Sequence, residues 1–471
     1  MSDLEYINEK LEEFNRYLKN RKVAIIGLGV SNLPLLDYLQ EVGANITVFD
    51  HREEKEFSSQ ALQKMIQLGI EYHLGKNSLE FLVGFDIIFR SPSCRPDVPE
   101  IAAEIERGAI LTTEIEMVMK LCPGTVIGIT GSDGKTTTTT LIYQMIKEKG
   151  YTCYLGGNIG IPLFCEIPKM KPQDVVVLEL SSFQLMDMEV SPQIAVITNI
   201  SPNHLDIHKS FEEYVNAKKN IFRYQSEKDL LVLNEDNEIT KNFAKEAKGK
   251  VTMFSSKSKL DNGIILDDEV IKKCEDRLRK HIIKTSDIVI RGEHNYQNAC
   301  AAIAATQYLI DTEAITKVLT TFKGVECRLE LVEERKGAKW YNDSSSSSPT
   351  RTIAGIKAFT EPMILIAGGY DKHLDYTPIA EPIVDKVKAL VLLGQTSQKI
   401  QECVQKEIEQ RGKQLPIYPC ASLEQAVQTA YQISQKGDVV LFSPASASFD
   451  MFKNFKQRGD VFKQLVEELP N

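Results

Sequence analysis

The apolar positions of the first fifty residues follow two different periods. MSDLEYINEKLEEFNRYLKN spaces its apolar residues as an amphipathic helix does, with charged residues between them. The next stretch, KVAIIGLGVSNLPLLDYLQEVGANITVFD, predicts a buried strand, a helix and a second strand that ends at Asp50. Gly27 and Gly29 stand where the first strand meets the helix. This order predicts a β-α-β mononucleotide unit, in which the glycines admit a diphosphate and the acidic residue bonds ribose hydroxyls.

The glycine pattern of this unit is incomplete. Asn32 occupies the position of the third glycine in G-x-G-x-x-G. A Rossmann-like layer that merely packs tightly at its glycines is therefore the alternative interpretation. Two further strand-like segments, FDIIFRSPS and AILTTEIE, extend the predicted sheet to about residue 122.

A second block opens with GTVIGITGSDGKTTTTTLIYQMI. It predicts a strand that ends at Ile129, a loop with Gly131 and Gly134, and a helix that begins with Lys135 and Thr136. Backbone N–H groups of such a loop cradle phosphate oxygens, the lysine neutralises them, and the threonine hydroxyl can hold Mg²⁺. The first glycine of G-x-x-x-x-G-K-[ST] would fall on Ile129, so a plain glycine turn is the alternative. The order of strand, loop and helix favours phosphate binding.

Acidic and histidine residues follow two later strands of this block. Glu179 ends the apolar run of QDVVVLELSSFQL, where a Walker-B carboxylate would reach a metal, although a surface glutamate at a strand edge is the alternative. VITNISPNHLDIH places His204, Asp206 and His208 after another buried strand. A zinc site would need a further ligand at a recognisable spacing. Ligation in a magnesium–nucleotide site, or simple loop capping, therefore suits these residues better.

The third block, from about residue 325, alternates strands and helices. Its strands lie in KWYND, PMILIAGGYDK, VKALVLLGQ and DVVLFSPASASFD, and each ends in Gly, Ser or Asp. Near-continuous apolar strands predict a parallel sheet that is buried on both faces and binds its ligand at the strand C-termini. The polar residues at those ends are Asp343, Lys372, Ser443 and Ser448.

The serine run Ser344–Ser348 follows the first of these strands. Composition alone predicts a flexible linker, because serine runs bury little surface. The flanks indicate regular structure, since LELVEERKGAKWYND resembles two strands joined by a turn and Pro349 stands where a helix would begin. We therefore expect a strand-to-helix turn that offers hydroxyls and helix N-terminal amides to a carboxylate.

Composition narrows the class of protein. A chain of 471 residues with 42% hydrophobic and 26% charged residues predicts a globular protein of two to four domains. A net charge of −9 argues against general nucleic-acid binding, and no apolar run is long enough to span a membrane. The N-terminus lacks the apolar core of a signal peptide, and nine scattered cysteines without a C-x-x-C pair suit a reducing compartment. We expect a cytoplasmic location.

Nine segments of the chain follow one another in an order and spacing that is typical of one family. In order, they are TGSDGKTTT, ELSSFQL, NHLDIH, YVNAKKNIF, GEHNYQNACAA, CRLE, NDSSSSSPTRT, GGYDK and SPASASFDMFKNFKQRG. In these segments the chain resembles the Mur ligases, the ATP-dependent amino-acid ligases of peptidoglycan precursor synthesis. The chain resembles this family throughout after its N-terminal helix, and most of all the member that adds glutamate to UDP-N-acetylmuramoyl-L-alanine. The resemblance implies an α/β protein of three domains. They are a Rossmann-like UDP-substrate domain (1–122), a central ATP-binding domain of P-loop ATPase type with a mostly parallel sheet (123–325), and a Rossmann-like glutamate domain (326–471).

The resemblance also implies the site residues. Those for the UDP substrate are Val30, Ser31, Asp50, His51, Arg52, Ser91, Asn158 and His204. Those for ATP are Gly131, Ser132, Asp133, Gly134, Lys135, Thr136, Thr137, Asn295, Asn298, Arg328 and Asp343. Those for glutamate are Ser345, Ser347, Lys372, Ser448 and Phe455. Those for Mg²⁺ are Thr136, Glu179, His204 and Lys218, and the catalytic group is Lys135, Glu179, His204 and Lys218.

Lys218 has two interpretations. From the sequence alone it is a solvated helix lysine beside Lys219. An ammonium group has no lone pair and cannot ligate magnesium. The resemblance implies that CO₂ carbamylates Lys218, which turns the cation into an anion with oxygen ligands.

Two departures from the family pattern affect the predicted glutamate domain. Cys327 replaces the histidine of the usual H-R-[LF]-E segment, and Ser345 replaces the lysine of D-S-K-A-T, while Ser347 replaces its threonine. The missing lysine would lie near the carboxylates of the amino acid, so its loss weakens glutamate binding unless another base compensates. Arg351, one turn into the following helix, is the candidate.

The implied reaction is amide synthesis driven by ATP through an acyl phosphate. We expect a monomer whose only partners are its two substrates. Three other classes are open to test. A dehydrogenase would use the first block for NAD but would not explain the phosphate loop. A folylpolyglutamate-type or other Mur-type ligase shares the central block, and a non-catalytic nucleotide-binding regulator would bind ATP without turnover. The sequence leaves the enantiomer of glutamate open.

Overall fold

The structure, a computed structural model, describes residues 6–57, 59–202, 207–372 and 374–470. These residues form two compact units. The first contains the described chain up to Ile283 together with Gln297–Val318, and the second contains Lys284–Tyr296 and the chain from Leu319 onward. Each of the three predicted domains contains one of the three sheets, whereas the positions of the boundaries between them remain predictions.

The first sheet of the first unit has five parallel strands. Its segment of the chain forms α1 (Glu9–Leu18), β1 (Lys22–Ile26), α2 (Leu35–Val42), β2 (Asn45–Asp50), α3 (Ser59–Gln67), β3 (Glu71–Leu74), β4 (Ile87–Arg90), α4 (Pro99–Glu106), β5 (Ile110–Thr112) and α5 (Glu114–Leu121). The strand order is β3-β2-β1-β4-β5. Val23 and Ile25 belong to one hydrophobic cluster and Ala24 and Ile26 to another, so this sheet is buried on both faces. The strand predicted in AILTTEIE stops at Thr112, because the Thr113 hydroxyl accepts a hydrogen bond from an N–H of α5 and begins that helix.

The second sheet of this unit has nine strands. Its segment forms β6 (Thr125–Thr130), α6 (Lys135–Glu148), β7 (Cys153–Gly157), β8 (Val175–Glu179), α7 (Ser182–Leu185), β9 (Ile194–Ile197), α8 (Phe211–Arg223), β10 (Leu230–Asn234), α9 (Glu238–Asn242), β11 (Lys250–Ser255), β12 (Gly263–Asp267), β13 (Val270–Glu275) and β14 (Leu278–Lys284). The strand order is β14-β13-β12-β11-β10-β9-β6-β8-β7, parallel from β12 to β7 and antiparallel between β12 and β13. One hydrophobic cluster continues from Val23 in the first sheet through Phe164 to Leu178 in the second. This shared core explains why the two sheets form a single unit.

The second unit has a six-stranded sheet. Before it, α10 (Glu293–Thr306) and α11 (Thr312–Thr321) have residues in both units. The unit then forms β15 (Glu330–Arg335), β16 (Ala338–Asn342), α12 (Pro349–Lys357), β17 (Met363–Ala367), α13 (Thr377–Lys386), β18 (Val387–Leu392), α14 (Ser397–Arg411), β19 (Ile417–Pro419), α15 (Leu423–Ile433), β20 (Val439–Phe442) and α16 (Phe455–Glu467). The order is β15-β16-β20-β17-β18-β19, parallel except for the β15–β16 hairpin. The α/β fold predicted from the sequence is confirmed.

Short 3₁₀ helices complete the described elements. They are Glu54–Glu56, Ser78–Phe81, Phe164–Lys169, Phe243–Lys245 and Thr285–Asp287. Within the described ranges, none of the helices combines the length and the apolar character needed to cross a bilayer.

Candidate active site

The phosphate loop, residues 131–134, joins β6 to α6 and depends on its two glycines. Gly131 has φ +152°, and a Cβ on it would lie 1.9 Å from the Thr198 hydroxyl oxygen. Gly134 has φ +78°, and a Cβ there would lie 2.3 Å from Oδ1 of Asn298. Both positions therefore require glycine, for its conformation and for space. The Asn298 side-chain oxygen also accepts a hydrogen bond from the Thr138 hydroxyl, at 3.4 Å.

Hydrogen bonds of Ser132 and Asp133 hold the shape of this loop. The Ser132 hydroxyl lies 2.9 Å from the Ser201 carbonyl oxygen and 2.8 Å from the Tyr214 hydroxyl. The backbone of Asp133 donates its N–H to the Asn199 side chain, at 3.0 Å. Thr136 and Thr137 begin α6 directly after the loop and are both largely buried. The predicted ATP residues from 131 to 137 therefore form one continuous segment, the phosphate loop and the first turn of α6.

Two lysines converge on the carbonyl oxygen of Gly131. Lys135 Nζ donates to it and to the Ser132 carbonyl, both at 3.0 Å. Lys218 Nζ donates to the same Gly131 oxygen at 2.9 Å and to the Thr130 hydroxyl at 3.1 Å. Lys218 is only 1% exposed, so the interpretation of a solvated helix lysine is wrong. Burial lowers its pKa well below the ordinary value of a lysine, and the charge of Lys135 lowers that pKa further.

Glu179, at the end of β8, lies beside the strand that leads into the phosphate loop. It is opposite Ile129 in the sheet and is 1% exposed, which excludes a surface glutamate. Its Oε1 accepts a hydrogen bond from the Asn158 side chain at 2.9 Å. Its Oε2 has no hydrogen-bond partner among the described residues. A buried carboxylate oxygen without a partner is costly unless a cation or another donor occupies its neighbourhood.

The predicted histidine cluster is described only in part. His204 and Asp206 lie outside the described residues. The His208 ring is buried, with Nε2 at 2.9 Å from the Ser182 hydroxyl and Nδ1 at 3.5 Å from a Glu213 carboxylate oxygen. No group of three or more His, Cys, Asp and Glu residues suited to a metal occurs in the described part of the chain.

Two cavities in the first unit contain most of the residues predicted for the UDP substrate. The larger, of about 490 Å³, is lined by Val30, Ser31 and Asn158, among others. The smaller, of about 300 Å³, is lined by the predicted residues Asp50, His51, Arg52 and Ser91 and by Gly27, whose φ is +80°.

The Asp50 carboxylate organises the glycine turn that follows β1. Its Oδ2 accepts the backbone N–H of Leu28 at 2.8 Å, and its other oxygen accepts Arg52 Nε at 3.0 Å. Burial alone would raise the pKa of Asp50, but hydrogen bonds from Arg52 and from backbone N–H groups hold it below the ordinary value. Asn32, which stands at the third glycine position of the motif, donates a hydrogen bond from its side chain to the Gly27 carbonyl at 2.9 Å. This bond gives the residue a structural role in the turn.

The structure adds two arginines to the wall of the larger cavity. Arg90, the last residue of β4, is buried and donates to the Cys94 carbonyl at 2.6 Å and to Asp187. Arg95 donates to the Ile207 carbonyl at 2.9 Å. The sequence could have indicated a functional role for Arg90, because FDIIFRSPS places a charged residue at the end of a buried strand.

The predicted ATP residues of the second unit are Asn295, Arg328 and Asp343. Asn295 donates from its side chain to the Arg291 carbonyl at 2.7 Å. Arg328 follows Cys327, which is buried with φ +61°. The Asp343 carboxylate accepts hydrogen bonds from the hydroxyls of Ser346 at 2.6 Å and Ser443 at 2.7 Å. Burial raises the pKa of Asp343 to about 6, although these hydrogen bonds oppose the shift.

The serine turn, Ser344–Ser348, is a packed connection between β16 and α12, and the linker interpretation is wrong. Its first three residues are buried. The Ser344 hydroxyl donates to the Phe455 carbonyl at 2.8 Å, and the Ser345 N–H donates to the Cys327 carbonyl at 3.0 Å. Pro349 begins the helix, as predicted.

Arg458 contacts the serine turn beside the predicted glutamate residues. The sequence did not predict a role for it. This buried guanidinium donates to the Ser344 hydroxyl at 3.0 Å and to the Ala447 carbonyl at 2.7 Å. It thereby ties the serine turn to the loop that contains Ser448, which is also buried. The sequence signal was weak, because Lys-Gln-Arg-Gly has the composition of a solvated helix face.

The other residues predicted for glutamate differ in accessibility. Lys372 is exposed, with Nζ 5.8 Å from the centre of the Phe449 ring. Phe455 has an exposed side chain and uses its backbone carbonyl in the bond to the serine turn. Ser347 donates its N–H to the Ser345 carbonyl at 2.9 Å. The Arg351 guanidinium donates to the same carbonyl at 3.3 Å, so it lies beside the position of the missing lysine.

Comparisons with known families match three consecutive segments of the chain. Residues 21–113 match the N-terminal domain described as Mur ligase MurD-like. Residues 129–306 match the Mur ligase middle domain, and residues 327–446 match the Mur ligase glutamate ligase domain.

Individual relatives match over nearly their whole length. The UDP-N-acetylmuramoylalanine–D-glutamate ligase of Acetivibrio thermocellus is 54% identical over 465 residues, which covers 98% of this chain and 100% of that protein. The ligase of the same name from Clostridium novyi is 48% identical over 463 residues, with the same coverage.

Solved structures show the same fold at lower identity. The alanine ligase MurC from Thermotoga maritima has a TM-score of 0.58 at 20% identity and covers 95% of this chain and 99% of its own. MurF from the same organism, solved in complex with ADP, has a TM-score of 0.56 at 17% identity and covers 99% of this chain and 100% of its own. Three family segments in order and relatives about half identical along the whole chain confirm the resemblance seen in the sequence: the protein belongs to the Mur ligase family.

Proposed function

We propose that the protein is an ATP-dependent ligase that joins the L-alanine carboxylate of UDP-N-acetylmuramoyl-L-alanine to the amine of D-glutamate and releases ADP and phosphate. The observation that carries the proposal is the glycine-dependent phosphate loop on which Lys135 and Lys218 converge. Relatives at 48–54% identity are named for this reaction, which supports the same substrates here. We also propose that the protein is a monomer, acts in the cytoplasm and takes part in peptidoglycan precursor synthesis.

The first step is phosphoryl transfer from ATP. The alanine carboxylate attacks the γ-phosphorus, the bond to the bridging oxygen breaks, and ADP leaves behind an acyl phosphate. Both reactants are anionic, so their approach costs Coulomb energy. Lys135 and the backbone N–H groups of the phosphate loop offset this cost by binding the phosphates. In the second step the neutral amine of glutamate attacks the acyl carbon, the bond from this carbon to the phosphate oxygen breaks, and the nitrogen gives up one proton to solvent or a base as phosphate leaves.

Mg²⁺ fits the residues beside this loop. Glu179 contributes a buried carboxylate oxygen without a partner among the described residues, and Thr136 contributes a hydroxyl at the start of α6. Oxygen ligands of this kind are those that Mg²⁺ prefers. When bound, the ion would neutralise charge on the transferred phosphoryl group. His204 remains a predicted ligand and a predicted base outside the described residues.

Carbamylation of Lys218 belongs to the same proposal. The Nζ lone pair forms a bond to the carbon of CO₂, one N–H proton passes to solvent, and an anion with two oxygens results. Only a neutral amine can react in this way, and burial lowers the pKa of Lys218 well below its ordinary value. With ¹³C-labelled bicarbonate, NMR should show a carbamate signal that is absent from Lys218→Met. An unmodified lysine in the nucleotide-bound active enzyme would contradict carbamylation.

The remaining site residues keep the roles that the resemblance implies. For the UDP substrate we propose Val30, Ser31, Asp50, His51, Arg52, Ser91, Asn158 and His204. For glutamate we propose Ser345, Ser347, Lys372, Ser448 and Phe455. For the nucleotide we propose Asn295, Asn298, Arg328 and Asp343 in addition to residues 131–137.

Release of ADP tests the proposed function directly. Turnover should require UDP-N-acetylmuramoyl-L-alanine and D-glutamate together, with L-glutamate and D-aspartate as poor substitutes. Omission of each component in turn separates the candidates. Activity with a folate or with another UDP-muramoyl peptide would indicate a different ligase, and ATP binding without turnover would indicate a regulator.

A further inference from the structure

One wall of the larger cavity is a short loop with a glutamate at each end. This cavity loop, residues 157–162, contributes all of its residues to the cavity lining. At its beginning, the side chain of Asn158 donates to Glu179, as described above, and its backbone N–H donates to the Glu179 carbonyl at 2.8 Å. At its end, the N–H groups of Leu163 and Phe164 both donate to Oε1 of Glu114, at 2.8 and 2.9 Å.

Glu114, which accepts the hydrogen bonds at the end of the cavity loop, comes from a distant part of the chain. It is the first residue of α5, about fifty positions before its hydrogen-bond partners. It is 5% exposed, and within the described ranges it forms no ion pair with a lysine or arginine. A buried carboxylate without a cation is costly, and here its bonds go to two consecutive backbone N–H groups. The carboxylate therefore fixes the direction in which the chain leaves the cavity loop.

The second residue after the loop, Phe164, is itself fixed by aromatic packing. The ring of Phe164 is fully buried and lies 5.0 Å from the Tyr38 ring, 6.1 Å from that of Phe89 and 6.3 Å from that of Phe14, measured between centroids. With the ring held by the core and the backbone held by Glu114, the end of the cavity loop has little freedom. Asn158 at the other end of this loop is a predicted ligand of the UDP substrate.

We propose that Glu114 is a positioning residue for the UDP-sugar substrate, acting through the N–H groups of Leu163 and Phe164 on the cavity loop. The role in substrate binding rests on the proposed function. Loosening one end of the loop should weaken the interactions that Asn158 and its neighbours make with the substrate. It should leave the phosphate loop and the chemical step unchanged.

Glu104 offers a matched control for this proposal. It is a buried carboxylate whose Oε2 accepts the consecutive N–H groups of Gly84 and Phe85, at 2.7 and 2.9 Å, and it lines neither cavity. It differs from Glu114 in that its Oε1 forms an ion pair with Arg107. Glu114→Ala should raise the KM for UDP-N-acetylmuramoyl-L-alanine by about tenfold, with kcat and the KM for ATP within about twofold. Glu104→Ala should not raise that KM. Glu114→Gln, which keeps an acceptor oxygen, should restore it to within about threefold of the wild-type value.

Hydrogen exchange of the ligand-free protein tests the anchor without reference to turnover. The amides of residues 157–164 should exchange faster in Glu114→Ala than in the wild type or in Glu104→Ala. If Glu114→Ala does not fold, Glu114→Gln provides the same comparison at smaller amplitude. Unchanged exchange in this segment, or an unchanged substrate KM in an active enzyme, would overturn the proposal. A wild type without activity on this substrate would overturn the proposed function instead, and exchange would still decide whether Glu114 anchors the loop.

Discussion

The phosphate loop and the serine turn are the same kind of connection built in two different ways. Each leads from a parallel strand into a helix, β6 into α6 and β16 into α12. The phosphate loop uses two glycines with positive φ, which leaves its backbone close to any ligand. The serine turn has no residue with positive φ and directs the hydroxyls of Ser344 and Ser346 to partners within its own unit. The first connection leaves its backbone open to a ligand, whereas the second uses two of its hydroxyls to hold its own shape.

Glu179 beside the phosphate loop and Asp343 beside the serine turn are both buried carboxylates, and they differ in how many of their oxygens have hydrogen-bond partners. Glu179 keeps one oxygen without a hydrogen-bond partner among the described residues. Asp343 uses both oxygens, since Oδ2 accepts from Ser346 and Ser443 and Oδ1 accepts from the Leu329 N–H at 3.3 Å. Glu179 therefore keeps an oxygen for the proposed Mg²⁺, whereas Asp343 stabilises the serine turn in addition to its proposed contact with the nucleotide. Four predictions test this contrast, from the largest effect to the smallest.

Replacing Lys135 by alanine should cause the largest loss. The ammonium group lies over the phosphate loop and is the cation proposed to neutralise the transferred phosphate. We expect kcat to fall by about 10³-fold or more, as when a principal charge-stabilising group is removed. Lys147→Ala, at the other end of α6, is the control and should stay within about twofold of the wild type. Normal ADP release from Lys135→Ala would overturn the assignment of the loop.

Gly131→Ala should have the next largest effect on activity. An added Cβ would approach the Thr198 hydroxyl to 1.9 Å in a backbone conformation that alanine rarely adopts. We expect ATP affinity to fall by about a hundredfold, because the loop must move away from its phosphate-binding shape. Gly150→Ala is the control for a strained alanine outside the phosphate loop, since Gly150 also has positive φ, at +97°, but no heavy atom lies within 4 Å of its added Cβ. Equal ATP affinities of the two variants, measured by calorimetry, would show that the phosphate loop does not require glycine at position 131.

The phosphate loop was predictable from the sequence, whereas the burial of Lys218 was not. The order of strand, glycines, lysine and helix is local information, so it survives in a single sequence. Lys218 and Lys219 are neighbours of identical type, and only the packing of α8 decides that the first is buried while the second pairs with Glu246 at 2.6 Å. Arg458 is a similar case, because its partner Ser344 lies 114 positions away along the chain. Long-range partners of this kind leave no local pattern.

Asp343 should make the stability of the protein depend on pH. Its pKa is raised by burial from 3.8 to about 6, so the folded protein keeps this proton to a higher pH than the unfolded chain does. The free energy of unfolding should therefore fall as pH rises from about 4 to 6, by roughly 3 kcal/mol from this group, and then level off. Asp343→Asn should lack this component. Urea denaturation of both proteins across this range measures the difference, and parallel pH profiles would contradict the prediction.

The smallest expected effect concerns the lysine that the serine turn lacks. Arg351 is exposed and donates to the carbonyl of Ser345, the position where the family pattern has that lysine. If Arg351 supplies the missing charge, Arg351→Ala should raise the KM for glutamate by about threefold and leave the KM for ATP unchanged, since an exposed charge is strongly screened. Lys357→Ala, in the last turn of the same helix, is the control for a general loss of positive charge. Equal glutamate KM values in both variants would exclude Arg351 as the compensating base. Ser345→Lys in the Arg351→Ala background sharpens the test, because recovery of glutamate binding there would show that a cation beside the serine turn is what the site requires.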